Sequence, residues 1–100
     1  MNLLTLLSKR KLSVAILIAL HGGPLRYSKL QHAVSQVSPG PVHSRTLTNT
    51  LNYLGDEDLV EHHQNDDGAD YRLTAGGSEL VDLLGEIQRW NRQHRNDDEP

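Results

Sequence analysis

Two stretches that no regular helix can cross divide the first half of this chain. Gly22-Gly23-Pro24 and Val37-Ser38-Pro39-Gly40-Pro41 combine proline, which lacks an amide hydrogen, with glycine, which holds helical dihedrals poorly. Around these breaks, apolar residues recur at helical spacing. Leu12, Ile16 and Ala19/Leu20 form one stripe. Leu30, Ala33 and Val34 form a second, with Ser28 placed to cap its start, and Leu47, Leu51 and Leu54 form a third, over about Ser44 to Glu57. Leu25-Arg26-Tyr27, just after the first break, reads as a short extended stretch.

The second half changes period. Leu59–Gln64 and Ala69–Leu73 read as two short strands around Asn65-Asp66-Asp67-Gly68, a strong hairpin signal. Thr74-Ala75-Gly76-Gly77 reads as another break. A last helix follows from Ser78 to about Arg92, with Leu80, Leu83, Leu84, Ile87 and Trp90 at amphipathic spacing. The order is helix, short strand, helix, turn, helix, hairpin, helix. That order describes a winged helix-turn-helix, an α+β fold that is mainly α. A chain of 100 residues holds one modest core, so residues 1–95 are expected to form a single domain and 96–100 an acidic, disordered tail. No internal repeat is visible.

The charge is unevenly spread. Residues 1–55 carry Lys9, Arg10, Lys11, Arg26, Lys29 and Arg45 and no acid, a net +6. Residues 56–100 carry all 13 acids against Arg72, Arg89, Arg92 and Arg95, a net -9. The asymmetry implies a basic working face on the first half, backed by a repulsive second half.

Several chemistries drop out. With no cysteine in the chain, disulfides, thiolate zinc sites and cysteine redox switching are excluded. With no Phe, one Trp and three Tyr, stacking on single-stranded nucleic acid is poorly supported. Lys9-Arg10-Lys11 before Leu12–Leu20 imitates a signal peptide. However, Leu3, Leu4, Leu6 and Leu7 precede the charges, and His21-Gly22-Gly23 is a poor cleavage site. The apolar run is too short to span a bilayer, so no membrane association and a cytoplasmic location are expected. His62 and His63 lie near Asp66, Asp67 and Asp70. Adjacent strand residues point to opposite faces, so a shared metal ion is not expected there, nor is any cofactor. No nucleophile sits in a recognisable elbow or glycine-rich loop, and no enzymatic activity is expected.

Gly23-Pro24-Leu25-Arg26-Tyr27-Ser28-Lys29-Leu30 resembles the "G-P-x-R-F/Y-x-E-L" segment of HxlR-type winged-helix transcriptional regulators. Arg45-Thr46-Leu47-Thr48, with Leu51, Leu54 and Leu59-Val60, is similar to their recognition-helix pattern. Tyr71-Arg72-Leu73-Thr74 with Gly76 or Gly77 is similar to the motif closing their wing, and Trp90 falls where the family often has a tryptophan. The likeness covers roughly residues 9–92. There are departures. The redox-sensing cysteine of many members is missing. Asp58 stands where a glycine usually permits a left-handed turn, a conformation Asp tolerates better than most residues. Ser38-Pro39-Gly40-Pro41 lengthens and stiffens the turn, and Asn49, Thr50 and Asn52 replace the frequent Arg or Lys.

The resemblance implies a dimeric, sequence-specific DNA-binding regulator, with repression the expected sign. If Leu47, Leu51 and Leu54 face the core, Arg45, Thr48, Asn49 and Asn52 face outward. Arg can bridge guanine O6 and N7, and Asn can pair with adenine N6 and N7. Ser44, Thr46 and the helix N-terminus are placed to hold a phosphate, with Arg26, Lys29 and His43 as further contacts. Asp66 and Asp67 at the wing tip repel phosphate, leaving Arg72 at the wing base as the expected contact there. Leu3, Leu4 and Leu7 at the N-terminus, and Leu83, Ile87 and Trp90 on the last helix, match the first and last helices with which HxlR-type proteins build homodimers. Such a dimer on double-stranded DNA implies a pseudo-palindromic operator. A small-molecule effector between the dimer helices, with Trp90 and Tyr27 as wall residues, is a further expectation. The alternative reading is a winged-helix module with weakened DNA binding that senses a small molecule or engages a protein partner.

Overall fold

The computed structural model describes residues 11–38 and 40–98. Helix α1 spans Lys11–His21, α2 Tyr27–Val37 and α3 Ser44–Asp56. Strands β1 (Val60–Asn65) and β2 (Gly68–Leu73) follow, and α4 (Ala75–Asp98) closes the chain. The three helical stripes of the first half meet in one core. Ile16, Leu17 and Leu20 of α1, Leu30 and Val34 of α2, and Leu47, Leu51 and Leu54 of α3 are buried together with Leu59, Val60 and Val81. Each such aliphatic side chain contributes roughly 1.5–3 kcal/mol on leaving water.

The hairpin is antiparallel and in simple register, from Val60 opposite Leu73 to Asn65 opposite Gly68. Only Asp66 and Asp67 lie between the paired ends. Gly68 takes the left-handed side of the turn at φ 122°, and the Asp67 amide donates to Asn65 Oδ1 at 3.0 Å. The extended stretch before α2 joins the same sheet. Leu25 and Tyr71 exchange both backbone hydrogen bonds, at 3.0 and 2.8 Å. This pairing corrects the expected cap. Arg26 leaves the bridge in extended geometry (φ -74°, ψ 159°) and is itself the residue before the helix, without a side-chain cap bond. Ser28 therefore lies inside the first turn.

The joint from α3 into the wing is a left-handed helix stop. Asp58 sits at φ 59°, its amide donates to the Gly55 carbonyl at 3.0 Å, and the Leu59 amide reaches back to the Leu54 carbonyl at 2.9 Å. These are the two reversed bonds of a Schellman motif, with Leu54 and Leu59 both buried beside it. The left-handed turn expected at Asp58 is there.

The entry to α4 departs from the sequence reading. Thr74-Ala75-Gly76-Gly77 is not a break: the helix begins at Ala75 and takes both glycines into its first turn. Thr74 caps it, its Oγ1 accepting from the Gly77 amide at 3.0 Å and donating to the Asp58 carbonyl at 2.6 Å. A Cβ on Gly77 would stand 2.1 Å from the Leu59 carbonyl oxygen. The glycine is there because two backbones touch, not because the chain bends. At its other end α4 continues past Arg92 to Asp98, so helical backbone enters the stretch expected to be a tail.

Candidate nucleic-acid interface

Helix α3 presents a face with almost no charge and few commitments. Its buried side is Leu47, Leu51 and Leu54. Opposite them Arg45, Thr46, Thr48, Asn49 and Asn52 are all exposed, as the 3.6-residue period dictates. Arg45, Asn49 and Asn52 have no side-chain hydrogen bond or ion pair among the described residues. Thr50 is turned inward on its own helix, its hydroxyl donating to the Thr46 carbonyl at 2.8 Å. His43 occupies the N-cap position without a side-chain cap bond. The leading amides of α3 therefore carry no side-chain cap and retain the partial positive charge of a helix N-terminus.

Residues of α2 support that leading turn. The Tyr27 hydroxyl lies 3.0 Å from the Ser44 carbonyl and 3.3 Å from Thr48 Oγ1. Gln31 Nε2 donates to the Val42 carbonyl at 3.1 Å and to Ser44 Oγ at 3.4 Å. Tyr27, for which both a pocket wall and a core position are open from the sequence, meets α3, and Gln31, which no sequence motif singles out, joins it. Their four-residue spacing on one face of α2 was the available signal. Lys29, two residues from each, is exposed on another side of α2.

The wing behaves differently. Arg26, expected beside α2 as a phosphate contact, extends its guanidinium to the Asp67 carbonyl at the wing tip and lies against Gly68. Arg72, expected as the wing-base contact, is half-buried and chelated by Asp70 through Nε and Nη2 at 3.0–3.1 Å. His62 stacks on Tyr71 with ring centroids 4.7 Å apart, while His63 Nε2 meets Glu61 Oε1 at 3.2 Å. The two histidines thus go to different partners. Among the described residues no cluster of His, Asp and Glu has the arrangement of a metal site.

On α4, Leu83, Ile87 and Trp90 are 48%, 45% and 59% exposed and form an apolar stripe on the surface of the described residues. Trp90 rests on the His94 ring, centroids 4.8 Å apart, while Tyr27 is engaged with α3, so the two supposed walls of an effector pocket have separate partners. Leu3, Leu4 and Leu7 lie outside the described residues. No described helix is long and apolar enough to cross a membrane.

Four described helices, a two-residue hairpin tip and a one-residue third strand make this a winged helix-turn-helix protein, mainly helical with a small antiparallel sheet. Within that class the HxlR-like helix-turn-helix family matches residues 6–99, and the chain belongs to it. An uncharacterized HTH-type transcriptional regulator of Methanocaldococcus jannaschii is 30% identical over 81 residues, covering 81% of this chain and 72% of the relative. Among solved structures, the reduced form of the transcriptional regulator YodB from B. subtilis superimposes with a TM-score of 0.76 at 25% identity, over 90% of this chain and 85% of that one. The transcriptional repressor BigR from Xylella fastidiosa gives 0.70 at 28% identity, over 86% and 79%. The relative and both neighbours carry the names of transcriptional regulators.

Proposed function

We propose that the chain is a cytoplasmic, homodimeric, sequence-specific DNA-binding repressor that reads the major groove with α3. The observation that carries this is the outer face of α3, where Arg45, Thr48, Asn49 and Asn52 stand exposed behind an N-terminus without a side-chain cap. Arg45 is suited to guanine and the asparagines to adenine. Ser44, Thr46 and the leading amides are suited to a phosphate, with Lys29 and His43 alongside. Arg26 and Arg72 join the contact surface only by exchanging their present partners.

The exposed stripe of Leu83, Ile87 and Trp90 supports dimerisation through α4, with Leu3, Leu4 and Leu7 as its expected complement. A two-fold dimer sets its reading helices roughly 34 Å apart, matching half-sites one DNA turn apart. Leu83→Asp is expected to yield monomer by light scattering. A variant that stays dimeric moves the interface elsewhere.

The test of DNA reading is fluorescence anisotropy at about 50 and 200 mM salt. The probes are the duplex upstream of the chain's own gene and a scrambled duplex of equal length, with Arg45→Glu as control. Selective binding that the control loses supports the reading. Equal or absent binding to both duplexes rejects it. In that case the alternative gains ground: a module sensing a small molecule or a protein partner. It is favoured by the self-paired wing and by an open apolar groove of about 380 Å³ between α1 and α2, lined by Val14, Ala15, Ile18, Ala33 and Val37.

A further inference from the structure

What α3 can read depends on which hydrogen-bonding atoms its side chains still have to offer, and α2 decides that for two of them. A phenol carries one proton. The Ser44 carbonyl, 3.0 Å from the Tyr27 oxygen, can only accept, so that proton goes to it. The 3.3 Å contact between the Tyr27 oxygen and Thr48 Oγ1 then has one consistent polarity, with Thr48 donating. The single hydroxyl proton of Thr48 is spent inside the protein, and the hydroxyl offers only acceptor capacity to a ligand outside.

Gln31 acts in the opposite sense on Ser44. The Val42 carbonyl, 3.1 Å away, accepts only, which fixes the side-chain amide with its nitrogen toward the turn. The second amide proton is directed at Ser44 Oγ at 3.4 Å. Ser44 accepts there and keeps its own proton to give away.

We propose that Tyr27 and Gln31 set the hydrogen-bond polarity of the leading turn of α3, making Thr48 an acceptor toward the base edge and Ser44 a donor toward phosphate. This deepens the reading of α3 as the recognition helix and rests on it. The groups that can donate to an acceptor in the major groove are the amino groups of adenine and cytosine, whereas guanine and thymine present acceptors. Thr48 therefore selects adenine or cytosine on the strand it faces. Tyr27 is a positioning and specificity residue that touches no base.

The experiment is selection of bound duplexes from a randomised pool by the wild type and by Tyr27→Phe, Thr48→Val and Gln31→Leu, followed by anisotropy on the selected sequences. The wild type is expected to prefer adenine or cytosine roughly fivefold at one position per half-site, the low end of a base-specific contact. Tyr27→Phe frees the Thr48 proton and flattens that one preference to under about twofold. Thr48→Val loses the same preference, and adding Tyr27→Phe to it changes nothing more. Gln31→Leu weakens all duplexes alike by about threefold, one neutral hydrogen bond, with base preferences intact. A selective wild type whose preferences survive both Tyr27→Phe and Thr48→Val, even with affinity uniformly lowered, overturns the inference alone. An altered base preference in Gln31→Leu overturns the division of roles. A wild type that selects no sequence overturns the recognition-helix reading itself.

Discussion

Helix α3 and the wing are adjacent in sequence and opposite in how they treat their polar groups. From Ser44 to Gly55 the helix carries one charge, Arg45, and Arg45, Asn49 and Asn52 have no partner among the described residues. The wing carries Glu61, Asp66, Asp67 and Asp70, and the cations around it are committed: Arg72 to Asp70, and Arg26 to the Asp67 carbonyl. A helix with free donors and acceptors has hydrogen-bonding groups to offer to base edges. A negatively charged, self-paired wing suppresses binding to phosphate as such. On the proposed function, this contrast gives specificity to α3 and leaves the wing to hold its shape and limit non-specific affinity.

The largest expected effect breaks the joint between the two regions. Gly77→Ala drives a methyl onto the Leu59 carbonyl, against backbone that cannot yield cheaply. It is expected to cost about 3 kcal/mol or more, the scale of severe overpacking, read as a lower urea midpoint. Wild-type stability in this variant would mean that the first turn of α4 shifts away from Leu59 at little cost. Next comes Arg45→Glu, which removes the only cation of α3 and places a carboxylate at its N-terminus. Binding to the selected duplex is expected to fall about 100-fold at low salt, the worth of a bidentate guanine contact, with the melting temperature nearly unchanged. A loss of less than about threefold would move base reading away from the start of α3.

The wing is tested by reversing its sign. Asp66→Lys with Asp67→Lys is expected to tighten binding to specific and scrambled duplexes alike by about tenfold at low salt. The salt dependence should steepen by up to about 2 logarithmic units per decade, nearly one for each new phosphate contact. An unchanged slope would show that the tip stays clear of the DNA, so that its acids matter only at long range.

These positions also show what could be read from the chain alone. The amphipathic stripes and the hairpin were legible because helix and strand periods are local properties. So was the outer face of α3. The first turn of α4 was not. Gly76-Gly77 looked like a break because glycine usually is one, whereas here a contact with Leu59, 18 residues earlier, requires the missing side chain. Ser28 looked like a cap by propensity, but the Leu25–Tyr71 bridge fixes where α2 starts. Arg26 looked free beside α2, and its partner at Asp67 lies 41 residues away. The shared reason is that each missed feature depends on which distant backbone atom lies within reach, and no local pattern encodes that.

The smallest effect tests the joint between α3 and the wing. Asp58 holds φ 59°, a conformation that costs an L-residue roughly 1 kcal/mol and glycine nothing. Its carboxylate also sits just beyond the C-terminus of α3, where the helix dipole disfavours negative charge. The contacts made at this point are backbone ones: the amide to Gly55 and the carbonyl to Thr74, both of which glycine keeps. Against this, glycine loses more chain entropy on folding. Asp58→Gly is therefore expected to stabilise the fold by about 0.5 kcal/mol, raising the melting temperature by about 2–4 °C for a domain of this size. Asp58→Ala, which gains no conformational freedom, should do the reverse. If Asp58→Gly destabilises instead, the carboxylate holds the α3–wing joint through its side chain, and the wing's acids share in building the fold as well as in repelling phosphate.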